Sequence, residues 1–197
     1  FESPEVGKKM FTVKQPIGVV VAITPWNFPL AMVTRKVSAA VAAGCTVILK
    51  PSELTPITAL ELGSLSIKAG FPPGVFNILN GNPDMIGKIL CKDINIRKIT
   101  FTGSTKVGKL LMKRSSSTVK NISLELGGNA PFIVFADANI KDAVEGFIMA
   151  KFRNAGQTCI SANRLFIHES VSEEFINNLS IEIKRIKDGN GMQNNDL

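Results

Sequence analysis

Short runs of β-branched and aliphatic residues alternate with longer stretches of helix formers along nearly the whole chain, and few folds tolerate that order. Residues 18–23 (Gly-Val-Val-Val-Ala-Ile) read as a strand apolar on both faces, ended by Thr24-Pro25. Further strands are expected over 46–49, 75–79 and 98–101, with one more running through Leu124-Glu125-Leu126. Between them the sequence predicts helices over 31–43, 56–69, 83–91 and 106–116. Gly44 stands where the first helix needs a left-handed residue to stop, and Pro56 stands in the first turn of the second. Strand–helix alternation of this kind implies βαβ units, and so a mostly parallel sheet with helices on both faces. After Gly127-Gly128 the pattern restarts with a strand over 132–135, a helix over 140–153, a strand over 164–168 and a helix over 171–186. The glycine pair therefore reads as a domain junction. Asp188 to Leu197 reads as polar turn material.

In a parallel sheet, ligands collect at the carboxyl ends of the strands. This sequence places its least ordinary residues there: Pro25-Trp26-Asn27 after the first strand, Lys50-Pro51-Ser52-Glu53 after the second, Gly81 after the third and Gly103-Ser104 after the fourth. That coincidence weighs more than any single motif.

The totals exclude several classes. The charge of +7, from 23 basic and 16 acidic residues, invites an anionic partner, but the cations are scattered and tyrosine is absent. Nucleic acid is not expected, since neither a basic stripe nor a stacking surface is visible. One histidine and three dispersed cysteines make no metal site. Three cysteines without disulfide spacing suggest a reducing, cytoplasmic setting. The longest apolar run is too short to span a membrane, and the opening Phe1-Glu2-Ser3-Pro4 does not read as a signal peptide.

Four places carry chemistry. Thr102-Gly103-Ser104-Thr105-Lys106-Val107-Gly108 joins a strand to a helix, so its backbone amides and the helix dipole favour an anion such as a phosphate. The plain alternative is a capped turn, because neither a Walker ending nor the usual dinucleotide fingerprint is present. Lys50 and Glu53 can bond ribose hydroxyls, or form a solvated loop. Cys159 closes Phe152-Arg153-Asn154-Ala155-Gly156-Gln157-Thr158-Cys159, where a helix break leaves the thiol in an irregular turn, whereas Cys45 and Cys91 read as small buried apolar residues. Glu125 sits in an apolar run beside two glycines, either as a loop residue or as a desolvated general base. Together these suggest a thiolate attacking an aldehyde carbonyl, with Asn27 as an oxyanion donor, hydride passing to a nicotinamide ring and a carboxylate activating water for release.

The stretches Ile23-Thr24-Pro25-Trp26-Asn27-Phe28-Pro29, Phe101-Thr102-Gly103-Ser104-Thr105, Ser123-Leu124-Glu125-Leu126-Gly127-Gly128-Asn129-Ala130-Pro131 and Phe152 to Cys159 resemble the aldehyde dehydrogenase superfamily. Within it, the chain is most similar to succinate-semialdehyde dehydrogenases. Glu125 and Cys159 stand 34 positions apart, the family's spacing between base and nucleophile. The resemblance implies a partial NAD(P)-binding domain over 1–127 and the start of a catalytic domain over 128–197. It makes Cys159 the nucleophile, Glu125 the base for deacylation, and Asn27 the oxyanion donor beside the Cys159 amide. Trp26, Lys50, Pro51, Ser52 and Glu53 become contacts on the adenosine side. Gly103, Ser104, Thr105, Lys106, Val107 and Gly108 surround the pyrophosphate, and Leu126 lies near the nicotinamide.

Arg35 and Arg153 resemble the arginines that hold the remote carboxylate of succinate semialdehyde. Glu53 stands where NADP-preferring relatives carry a small residue, which leans the cofactor towards NAD over NADP. Ser161 stands where several relatives have a second cysteine, so a disulfide with Cys159 is not expected. The family is homo-oligomeric through a hairpin, and only its last strand is expected here, over residues 8–14. Relatives are longer at both ends, so the sheet is expected to leave apolar faces uncovered. A catalytically inactive remnant with dinucleotide binding at most is the competing expectation.

Overall fold

The computed structural model describes residues 3–187 and 189–190, which form two compact units, Phe1–Leu126 and Gly127–Leu197. The expected polar end, Asp188 to Leu197, lies outside the described residues apart from Gly189 and Asn190.

The first unit is built on β1 (Val19–Ile23), α1 (Ala31–Ala42), β2 (Thr46–Lys50), α2 (Ile57–Lys68), β3 (Phe76–Ile78), α3 (Pro83–Lys92), β4 (Ile96–Gly103), α4 (Thr105–Ser115) and β5 (Asn121–Leu126). All five strands are parallel, in the order β3-β2-β1-β4-β5. The alternation along β1 shows why both sheet faces must be covered. Val21 joins a core with Leu90, Cys91, Ile99 and Leu111, while its neighbour Ala22 joins Val33, Val37, Leu49 and Ala59 on the other side. Helices α3 and α4 supply the first layer, and α1 and α2 the second. The expected uncovered faces on this sheet are therefore not found around its central strand, because the crossovers themselves bring both layers.

Chain punctuation follows from local chemistry. Helix α1 ends where Gly44 adopts φ +80°, letting its amide reach Val41 O at 2.9 Å and the Cys45 amide reach Ala40 O at 3.0 Å. Helix α3 starts with Asn82 Oδ1 accepting from the amides of Asp84 and Met85, with Pro83 in its first turn. Residues 8–14 form no strand beyond a single bridge at Lys9, and Met10, Phe11 and Val13 are exposed. A ladder requires a partner strand along its length, and this segment has none among the described residues.

The second unit comprises β6 (Ala130–Val134), α5 (Ile140–Phe152), β7 (Ala162–Ile167) and α6 (Glu169–Arg185). β6 and β7 are parallel, and α5 is the crossover between them. Val134, Val144, Phe147, Ala162, Phe175 and Leu179 make its core, with Phe147 edge-on to Phe132 and Phe175 at 5.3 and 6.3 Å. The other face of this small sheet is where apolar surface stays open: Ile133 and its cross-strand partner Phe166 are both exposed.

Candidate functional site

Strand β1 lies between β2 and β4, so the chain leaves it towards one edge and later returns to the opposite side. Such a reversal opens a crevice at the carboxyl ends of the strands. A cleft of about 420 Å³ lies there in the first unit, entered from the ends of β1, β2 and β4 and continuing between α3 and α4. It brings together Trp26, Lys50, Ser52, Glu53, Gly103, Ser104 and Val107 from the residues singled out in the sequence. Pro51 is fully buried and Gly108 is buried in α4, and neither lines it. Thr105 and Lys106 are exposed and do not line it, nor does Asn27, which is partly buried in the loop after β1.

Lys50 decides how its loop is read. Its side chain is only 5% exposed, and Nζ donates to Glu53 Oε2 at 2.5 Å and to Pro51 O at 2.8 Å. A buried ammonium with two acceptors is no solvated loop residue. The Lys50 hydrogen bond holds the Glu53 carboxyl below its ordinary value, helped by the loop's backbone. Next to the end of β2, Thr24 is 4% exposed and its Oγ1 has no hydrogen-bond partner among the described residues, although the residue lines the cleft. A buried hydroxyl left without a bond is one that a ligand's polar atom would satisfy.

Ser104 caps α4 by accepting from the Val107 amide at 3.3 Å. The glycines around it are sterically required. A Cβ on Gly103 would stand 2.5 Å from the Phe101 ring, and one on Gly108 would stand 2.6 Å from Leu126 Cδ2. Leu126 thus packs against the first turns of α4 from the end of β5. Gly103 and Ser104, where β4 turns into α4, line the cleft together with Lys50, and a helix start of this kind suits an anionic group.

Glu125 belongs to β5 and is exposed, which corrects the expectation of either a loop position or a desolvated one. The reason is sheet order: β5 is the edge strand, and its Ser123 and Glu125 point away from the α3–α4 core. Lys36, which the sequence reading passed over, is half-buried and donates to Thr100 Oγ1 at 3.1 Å. Burial lowers its pKa, the charge of Glu125 opposes that shift, and Lys98 adds to it. Arg35, next to it on α1, is exposed because Val33 and Val37 fix the buried stripe of the helix. Two further residues were missed. Asp84 and Arg114 line the cleft as an ion pair at 2.6 Å, and hydrogen bonds from Lys88 and then Arg114 hold the Asp84 carboxyl below its usual range.

In the second unit, α5 breaks where Asn154 and Ala155 take left-handed φ values of 53° and 54°, followed by Gly156 at 75°. Such a conformation costs a residue with a Cβ on the order of 1 kcal/mol and marks an over-determined loop. The loop is anchored below by Ser161, 3% exposed, whose Oγ donates to Lys151 O at 3.3 Å. Cys159, two residues before it, is a free and exposed thiol in a turn, while Cys45 and Cys91 are buried as expected. Arg153 is exposed at the start of the break. Among the described residues, no group of acidic, histidine and cysteine side chains can hold a metal ion.

The sequence model of the aldehyde dehydrogenase family matches residues 1–197. A probable succinate-semialdehyde dehydrogenase [NADP(+)] of Sinorhizobium fredii is 54% identical over 98% of this chain and 40% of its own length. The glutarate-semialdehyde dehydrogenase of Pseudomonas aeruginosa is 50% identical over 94% of this chain and 38% of its own. The crystal structure of succinate-semialdehyde dehydrogenase from Burkholderia pseudomallei superposes with a TM-score of 0.96 at 50% identity, over 98% of this chain and 40% of that one. The chain thus spans about 40% of the length of these relatives.

Proposed function

Because this chain belongs to the aldehyde dehydrogenase family, we propose that the protein oxidises succinate semialdehyde to succinate with a nicotinamide dinucleotide as hydride acceptor. The observation that carries this reading is Cys159, an exposed free thiol presented by a strained break in the chain. The cleft of the first unit supports the cofactor assignment, since its residues fit a dinucleotide. Lys50 and Glu53 offer a donor and an acceptor to a ribose, the Thr24 hydroxyl seeks a partner, and the Gly103–Ser104 turn admits a phosphate. Trp26 and Val107 supply apolar wall.

The thiolate of Cys159 attacks the aldehyde carbon, forming a carbon–sulfur bond, and the Asn27 amide with the Cys159 backbone amide stabilises the oxyanion. A nicotinamide dinucleotide held by Trp26, Lys50, Ser52, Glu53, Gly103 and Ser104 would supply the hydride acceptor for that carbon, and Cys159 then carries the acyl group as a thioester. Glu125 then takes a proton from water, the hydroxide attacks the thioester, and the carbon–sulfur bond breaks to release the acid and restore the thiolate. Arg35 and Arg153 hold the distal carboxylate of the substrate. The relatives named for succinate and glutarate semialdehydes act on aldehydes of that chemical type, which favours these roles. A mechanism that turns on a free thiol suits the cytoplasm, and the whole protein is a homo-oligomer on this reading.

For the cofactor, the ionised Glu53 repels a 2′-phosphate and favours NAD, whereas the Sinorhizobium fredii relative is named for NADP(+). Replacing Glu53 with serine is expected to raise the use of NADP relative to NAD. An unchanged ratio would remove Glu53 from cofactor selection.

The direct test of the chemistry is mass spectrometry of the Glu125→Gln protein after mixing with aldehyde and NAD. A succinyl adduct on Cys159 should accumulate while turnover falls by orders of magnitude. Undiminished turnover in that variant would sink the role assigned to Glu125. Nucleotide binding without any adduct or turnover would favour a protein that only binds dinucleotide.

A further inference from the structure

Away from Lys50 and Glu53, the cleft continues between two helices. Pro83, Ile86 and Gly87 of α3 form one wall, and Val107, Leu110 and Leu111 of α4 form the other. An apolar stretch of cleft walled by two helices suits an aromatic base. Its one strongly polar feature is the pair that bridges the helices, with Arg114 Nη2 donating to Asp84 Oδ1 at 2.6 Å. Arg114 lies on the cleft-facing stripe of α4 with Val107 and Leu110, and a Cβ on Gly87 would stand 3.7 Å from its Nη1. The side chain is only 19% exposed, so the charge is held close to apolar surface. Asp84 also accepts from Lys88 Nζ at 2.8 Å on its second oxygen. A carboxylate has about four acceptor positions, so each oxygen keeps one for a further donor, and the guanidinium keeps unused N–H groups.

Resting on the dinucleotide reading above, we propose that the Asp84–Arg114 pair reads the edge of the base and selects adenine. An adenine edge presents an amino donor flanked by ring-nitrogen acceptors. The carboxylate of Asp84 accepts from the exocyclic amino group, and Arg114 donates to the neighbouring ring nitrogen. Hypoxanthine replaces that amino group with a carbonyl, which sets acceptor against acceptor at Asp84. The pair thus does two things at once: it ties α3 to α4 and gives this stretch of cleft a donor–acceptor pattern. An aromatic base in an apolar cleft would otherwise bind with little discrimination, because stacking is tolerant of base identity.

The test is binding of NAD and of nicotinamide hypoxanthine dinucleotide, read from the fluorescence of Trp26, the single tryptophan, which lines the cleft. The wild-type protein should bind the adenine form roughly tenfold more tightly, the discrimination that a paired contact to a base edge supplies. Asp84→Asn should bring that ratio close to one, since an amide can turn either its oxygen or its nitrogen to the base. Arg114→Lys keeps an ion pair to Asp84 and so the tie between the helices, but lacks the planar fork, and it should lower the ratio severalfold while the melting temperature holds. An adenine preference unchanged in both variants would overturn the proposal and leave dinucleotide binding standing. Failure of the wild-type protein to bind either dinucleotide would overturn the cofactor reading, and the base-reading role with it.

Discussion

At the scale of single residues, Lys50 and Glu53 carry the most testable electrostatics. The depressed Glu53 value means that the folded state prefers the carboxylate, so the pairing stabilises the fold above the unfolded-state pKa of about 4.3. That contribution is lost as pH falls through the lower, folded value. Glu53→Gln should therefore be less stable than wild type at neutral pH by urea unfolding, and the gap should narrow as pH falls below the unfolded-state value and close below the lower, folded one. A gap that stays constant on acidification would mean that the pair has no role in stability. The position of Lys50 after a strand was legible from sequence, but its burial was not, because a lysine is normally exposed and only the packed loop supplies its two acceptors. Asp84 and Arg114 were invisible for a different reason: they are 30 positions apart and meet only when α3 lies beside α4. Glu125 was found by its neighbours, yet its exposure depends on β5 being an edge strand, which composition does not reveal.

At the scale of elements, the apolar periodicity and the Gly and Pro punctuation anticipated nearly every strand and helix. Strand β4 runs longer than the expected 98–101, over Ile96–Gly103, because the charged Arg97 hides its start from an apolar reading. Lys98 earns its place by donating to Ser123 Oγ across the β4–β5 pair at 2.6 Å. The helix ends yield sharp expectations. Gly44→Ala places a Cβ in a left-handed residue and 2.8 Å from Pro16 Cγ, and should destabilise the fold by about 2 kcal/mol in thermal unfolding. Asn82→Ala removes the acceptor for two amides of α3 and should cost about 1 kcal/mol. Wild-type stability in either variant would show that these ends are held by something other than their caps.

For the molecule as a whole, the separate cores make a distinct prediction. Phe175 is fully buried in the core of the second unit, so Phe175→Ala should destabilise that unit by roughly 3–5 kcal/mol. Trp26 belongs to the first unit, whose two clusters contain no residue of the second. Its fluorescence transition should stay in place while circular dichroism detects an earlier melting component. A common shift of both signals would mean that the units unfold together. The division at the Gly127-Gly128 region was suggested by the restart of the strand–helix pattern, whereas the open Ile133–Phe166 face of the second sheet was not anticipated.

The most direct measurement is the formation of reduced nicotinamide by the protein with succinate semialdehyde and either NAD or NADP, set beside Cys159→Ala. The account predicts an absorbance rise in the wild-type protein that the Cys159→Ala protein lacks, although that variant still binds the dinucleotide. An equal rise in both proteins, or none in a wild-type protein saturated with dinucleotide, would contradict it.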